Sequence, residues 1–193
     1  VPFVTGIHFW NEIIDLDQVY QNTKIMDHLD RHQTHPDFTS MLTFPECYFY
    51  SVSPYVTEVV RTITHHNVEF QIEPASSRQV CHISDTNWSA ANNKYVTVLN
   101  YHEKKGGTLI YEILKNISFE TPFLLVRTEE GCDEFYDKIN KLVSERAAHG
   151  AKDRLIGRTA AIKIYEQTHI LLIPSLVDET YCRVANEGLM NAI

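Results

Sequence analysis

Two stretches hold residues whose types and spacing suit chemistry. The first is Asn100-Tyr101-His102-Glu103-Lys104-Lys105-Gly106-Gly107, where two lysines meet two glycines as a helical pattern begins. A helix N-terminus offers unpaired amides and the positive end of the peptide dipole. Glycine lets a ligand approach the backbone, so the stretch suits a phosphate. A solvated turn is the alternative reading of the same residues. The second stretch runs from Pro174 to Glu187, with Glu179 in a loop after an apolar strand and Glu187 eight residues on. That separation is a little over two helical turns, so Glu187 can face the same cleft as Glu179. Carboxylates so placed accept hydrogen bonds from sugar hydroxyls. The amides of Tyr181 and Cys182, at the helix start, suit a diphosphate. The plainer alternative makes Glu179 a capping acid and Glu187 a surface residue.

These stretches need elements to position them, and the pattern supplies an alternation. Strands are expected at Tyr95 to Leu99, Phe123 to Val126, Leu155-Ile156 and His169 to Ile173. Between them fall helical faces made by Leu109, Ile110, Ile113, Leu114 and Ile117, and by Phe135, Ile139, Leu142 and Val143. A further helix is expected around Ala160 to Gln167 and a last one from about Tyr181. Strands alternating with helices of this length imply βαβ units and a parallel sheet. Ligands of such sheets sit beyond the carboxyl ends of the strands, in the loops after Leu99, Val126, Ile156 and Ile173. The apolar run from Ile170 to Pro174 fits a buried strand.

Upstream, Pro2 to Thr5 reads as a short buried strand, Gly6 to Trp10 as a loop, and Leu16 to Arg31 as a polar helix. Phe9 and Trp10 fit packing better than an acceptor platform. A strand follows at Cys47 to Ser53. Ser53-Pro54 then makes a helix start, with serine as cap and proline in the first turn. Val56, Val59, Val60 and Ile63 form one apolar face of that helix, and Val68, Phe70 and Ile72 alternate with polar residues as a strand. Residues 74 to 93 are rich in Ser, Asn and Ala with weak periodicity, as a linker would be. The expected organisation is therefore residues 1–74, a crossover at 75–93, and residues 94–193.

Bulk properties bound the function. The chain has 193 residues, 44 % hydrophobic and 22 % charged, an ordinary globular composition. Its net charge, 17 − 25 = −8, leaves no overall electrostatic footprint for nucleic acid, although a local basic spot can still hold a phosphate. No apolar run approaches the roughly 20 residues of a membrane span. Cys47, Cys81, Cys132 and Cys182 are scattered without a CxxC, which fits unpaired thiols in the cytoplasm. His28 and His32 have a spacing that can ligate zinc, with His35, Asp27 and Asp30 nearby, but a solvated helix face is the plainer reading. His65-His66 suit a helix end. The sequons at Asn87 and Asn116 are expected to be inert in that compartment.

Taken together, the motifs resemble those of retaining glycosyltransferases of the GT-B fold, the family called glycosyl transferases group 1. Lys105-Gly106 match the family's lysine-glycine pair, Pro174-Ser175 its strand end, and Glu179 with Glu187 its Glu-x7-Glu motif. Tyr165 matches the aromatic that precedes that strand. Val4-Thr5-Gly6-Ile7-His8 resembles the family's strand ending in a histidine, and Ser53-Pro54-Tyr55 its serine-led helix. The resemblance covers most of the chain. Asn100 departs from it by replacing an arginine, Thr180-Tyr181-Cys182 by replacing Gly-Phe-Gly, and Ala192 by replacing a glycine.

The resemblance implies an α/β architecture of GT-B type with two Rossmann-like halves. Set beside the family, each half is expected to be incomplete here. It implies transfer of a hexosyl unit from a nucleoside-diphosphate sugar, with retention, to a glycan, lipid, protein or small-molecule acceptor. No metal and no cofactor beyond the donor substrate are expected, and neither is a nucleic-acid partner; peripheral attachment to a membrane stays compatible. Lys105 would neutralise charge on the leaving diphosphate, with Asn100, Gly106 and the Tyr181 and Cys182 backbone beside it. Glu179 would position the donor sugar, Glu187 the ribose, His8 the sugar or acceptor, and Arg158 the base. The alternatives are a non-catalytic module that binds a nucleotide sugar or a partner, favoured by Asn100 and Cys182, and a related epimerase or phosphorylase. The Glu-x7-Glu spacing speaks against the epimerase, and no lysine is placed to hold a pyridoxal group.

Overall fold

The computed structural model describes residues 3–7, 36–43, 47–65, 68–70, 94–127, 133–157, 161–176, 182–191 and 193. The chain divides into two compact units, the first formed by Val1–Pro74 with Val177–Cys182 and the second by Ala75–Leu176 with Arg183–Ile193. Both are α/β units built on parallel sheets.

In the first unit, strands β1 (Phe3–Ile7), β2 (Cys47–Ser51) and β3 (Val68–Phe70) lie in that order, all parallel. The sequence reading made Gly6 and Ile7 a loop. They are instead the last two residues of β1, because the ladder to β2 runs on through Gly6↔Tyr50 and Ile7↔Ser51. Helix α1 (Pro36–Leu42), which the apolar pattern does not announce, buries Phe38 edge-on against Phe49 of β2 at a centroid distance of 5.3 Å. Helix α2 (Pro54–Thr64) starts as its sequence dictates: the Ser53 hydroxyl accepts the amide of Val56 at 3.2 Å, and Pro54 occupies the first turn. Val56, Val59 and Val60 are fully buried and Ile63 packs beside them. The helix ends at His65 in the left-handed conformation, its amide bonded to the Arg61 carbonyl. The expected helix at 16–31, the histidines at 28–35, His66 and the linker at 74–93 lie outside the described residues.

The second unit contains β4 (Tyr95–Leu99), α3 (Gly107–Asn116), β5 (Phe123–Val126), α4 (Asp133–Ala148), β6 (Arg154–Ile156), α5 (Ala161–Tyr165), β7 (Thr168–Leu171) and α6 (Arg183–Met190). Its parallel sheet has the order β6-β5-β4-β7. The chain thus builds outward from β4 through β5 and β6, then returns to add β7 on the other side of β4. That reversal is the topological switch point of doubly wound sheets. Alternation along β5 divides the core. Phe123 and Leu125 pack with Ile110, Leu114, Ile139 and Val143 of α3 and α4, whereas Leu124 and Val126 pack with Ile164 of α5. All four β5 residues are buried, as expected of a central strand covered on both faces.

Two expectations need correction. The helical pattern puts Leu109 on the core face of α3, but it is 47 % exposed; the buried stripe runs through Ile110 and Leu114. The apolar run from Ile170 to Pro174 predicts a buried strand, yet β7 ends at Leu171, and Ile170 is 51 % and Ile173 40 % exposed. Among the described residues β7 pairs only with β4, so it is an edge strand. It is held by its inward residue Thr168, whose hydroxyl lies 2.8 Å from that of Thr97 and donates to the Ile164 carbonyl at 2.8 Å.

Candidate functional site

The switch point puts the loops after β4 and β7 side by side. Leu99 is followed by Asn100, one of two described non-glycine residues with positive φ, at 64°. Asparagine tolerates that region better than most residues. The turn lets the Asn100 amide donate to the Val126 carbonyl of β5 at 2.8 Å while the chain leaves the sheet. Glu103–Lys105 form a single 3-10 turn, and the His102 carbonyl accepts the amides of Lys105 and Gly107, both at 2.9 Å. Helix α3 then begins at Gly107, with Gly106 as its cap. The expected helix start at the lysine-glycine stretch is therefore present, with a half-buried Lys105 at its mouth.

Both glycines are required by contact. Gly106 has φ +83°, and a Cβ there would overlap the Pro174 carbonyl oxygen and lie 2.7 Å from its carbon. A Cβ on Gly107 would meet the Phe135 ring at 2.6 Å and the His102 carbonyl oxygen at 2.8 Å. Gly106 thus fixes the loop after β4 against Pro174, the residue that follows β7 and opens the Pro-Ser pair.

The floor beside this loop is aromatic. Tyr101 and Tyr136 meet edge to face at 5.0 Å, and the Tyr136 hydroxyl reaches the Asn100 side-chain oxygen at 3.5 Å. The guanidinium of Arg127, the residue after β5, lies 3.9 Å from the centre of the Tyr136 ring. Burial pushes the Tyr101 hydroxyl up to about 12; the neighbouring Tyr136 adds to the rise and Arg127 opposes it. The strand pattern points to the loop after Val126 but to no residue in it. The signal was a lone arginine at the carboxyl end of a fully apolar strand, where a charge is costly unless it has a task or a partner.

Glu187 lies on α6, which approaches β7 closely: a Cβ on Gly188 would come within 2.6 Å of the Leu171 side chain. The carboxylate is only 15 % exposed. Its Oε2 accepts the hydroxyl of the buried Tyr165 at 2.7 Å, and its Oε1 lies 4.0 Å from the exposed Arg183 guanidinium. Asn191 donates to the Glu187 carbonyl at 2.7 Å. Glu187 is thus a held, half-buried carboxylate and not the surface residue of the plainer reading. Cys182 is half-buried and takes no part in a disulfide.

Asn100, Lys105, Gly106 and Glu187 all belong to the second unit, the first three in one loop at the carboxyl end of the sheet. His8, Arg158, Glu179 and Tyr181 lie outside the described residues. Among the described residues no group of three or more His, Cys, Asp or Glu could hold a metal ion. No helix among them is long and apolar enough to cross a membrane. No protein-family model matches the chain, and no curated protein matches it.

Proposed function

We propose that the chain is a retaining glycosyltransferase of GT-B type whose second unit binds the nucleotide sugar. The observation that carries the reading is the position of Lys105-Gly106 at the switch point, with Gly106 pressed on Pro174. A doubly wound sheet offers its ligand crevice there. The Lys105, Gly106 and Gly107 amides are bonded to the His102 and Glu103 carbonyls, so what suits a diphosphate is the positive dipole end of a ten-residue helix with an ammonium at its mouth. The held carboxylate of Glu187 suits a hydroxyl-bearing ribose.

In this reading Lys105 stabilises the charge that grows on the diphosphate as the sugar–phosphate bond breaks. Glu187 accepts the ribose hydroxyls. Glu179, His8, Arg158 and the backbone of Tyr181 and Cys182 enter on the sequence resemblance alone, for the donor sugar, the acceptor side, the base and the diphosphate in turn. Asn100, bonded into the turn, shapes the loop and brings no charge where the family has arginine. Lysine and helix dipole together do the work a divalent ion does elsewhere, so turnover needs no added metal.

The test is hydrolysis or transfer with a panel of UDP-, GDP- and ADP-hexoses. Release of nucleoside diphosphate, with the anomeric configuration retained by NMR, supports the reading. Tight binding without release supports the non-catalytic module, the second reading that Asn100 favours. Absence of both binding and release overturns the nucleotide-sugar reading.

A further inference from the structure

We infer that Tyr165 is a positioning residue that acts through Glu187 and sets the preference of this site for a ribose over a 2′-deoxyribose. The inference rests on the nucleotide reading above and adds to it a residue that touches no ligand.

Tyr165 ends α5 and is 3 % exposed, and its hydroxyl donates to Glu187 Oε2 at 2.7 Å. That length is typical of a hydroxyl–carboxylate bond assisted by charge. Glutamate has three side-chain torsions, and on a helix surface it samples many rotamers. Here one oxygen is tethered from below by a buried phenol, so the carboxylate plane is set before any ligand arrives. The tether also divides the labour of the two oxygens. Oε2 is taken by the phenol, which leaves Oε1 to accept from outside; among the described residues it is paired with Arg183, 60 % exposed and at 4.0 Å, too long for a hydrogen bond. An oxygen with a fixed direction discriminates between a ligand that offers a hydroxyl there and one that does not. The ligand without it leaves a half-buried charge unsatisfied. Gly188, next in the chain, seats α6 against Leu171 and so fixes the backbone that carries Glu187.

The experiment is titration of the full chain with UDP, GDP and ADP and with their 2′-deoxy counterparts. For whichever base binds, the unsubstituted chain is expected to prefer the ribonucleotide by on the order of tenfold or more, the fold-change one hydrogen bond to a charged group carries. Tyr165→Phe keeps the ring and removes only the hydroxyl; it is expected to cut that ratio at least threefold. Glu187→Gln is expected to cut it as far or further. The double variant is expected to match Glu187→Gln alone, because the Tyr165 hydroxyl reaches the ligand through that carboxylate. A merely structural Tyr165 would lower the melting temperature of Tyr165→Phe and leave the ratio at its original value, and that result overturns the inference. A change in the double variant beyond that of Glu187→Gln also overturns it. Binding of none of the six nucleotides to the unsubstituted chain overturns the nucleotide reading itself, and the inference with it. Nucleotide binding with equal affinity for both sugars overturns the role of the pair and leaves the nucleotide reading standing.

Discussion

The two ends of the second unit's sheet carry polar clusters of opposite character. At the amino end, Arg146 and Asp153 form an ion pair at 2.6 Å with side chains 2 % and 0 % exposed. Every direction is filled. Arg146 donates to the carbonyls of Leu114 and Ile117 at 2.8 and 3.1 Å, and Asp153 accepts the amide of Phe123 at 2.9 Å. The end of α3, the end of α4 and the entries to β5 and β6 are tied by one pair. At the carboxyl end, Asn100 and Gly106 hold left-handed backbone, Lys105 is half-buried, and Arg127 lies over an aromatic ring. One end spends its charge on saturated internal bonds, the other carries charge and left-handed backbone in the loops after the strands. The contrast separates polar residues that hold the fold from those to which the proposed function gives a ligand.

The largest expected effect lies at the closed end. Asp153→Ala leaves a buried guanidinium unpaired and is expected to cost about 3–5 kcal/mol in denaturant unfolding. That is much of the stability of an ordinary domain. A loss below about 1 kcal/mol would show that the pair is not the clamp described. At the open end, Gly106→Ala forces a Cβ onto the Pro174 carbonyl at a positive φ, and is expected to cost about 1–3 kcal/mol. Unlike Asp153→Ala, it is expected to weaken nucleotide binding in the protein that remains folded. Equal loss of binding in the two variants, measured on folded protein, would erase the contrast.

A smaller effect concerns pH. Tyr101 is held neutral by burial, with its hydroxyl raised to about 12 against about 10 in an unfolded chain. The neutral form is favoured in the folded state, so its contribution is fully present below pH 10. It is lost as pH rises from 10 through about 12. Tyr101→Phe is expected to flatten the fall in stability over that window. An unchanged alkaline profile would contradict the assignment.

The legibility of the sequence follows the same division. Periodicity reports burial against a layer, so Phe123 to Val126, the face through Phe135, Ile139, Leu142 and Val143, and the Ser53-Pro54 helix start are all readable. It does not report which edge of a sheet stays uncovered, which is why Ile170 was expected inside. Nor does it report partners distant in the chain. Arg146 and Asp153 look like surface residues of a helix and a loop, and Tyr165 and Glu187, 22 residues apart, meet only after β7 is laid beside β4. In the candidate site, the helix start at Lys105-Gly106 is legible because motif and local geometry coincide there. Arg127 gives a weaker signal, a single charge after an apolar strand with no motif around it.

In the proposed function, Lys105 stabilises a departing diphosphate. Steady-state kinetics of Lys105→Ala with a nucleotide-sugar donor test it most directly. Charge on the leaving phosphate grows as the bond breaks, so an ammonium there favours the transition state over the bound donor. The expected result is a fall in kcat of about a hundred- to a thousandfold with a smaller change in donor KM. Arginine at position 105 is expected to restore part of it and added magnesium none. A rise in donor KM with kcat unchanged would contradict the claim and leave Lys105 as a binding residue only.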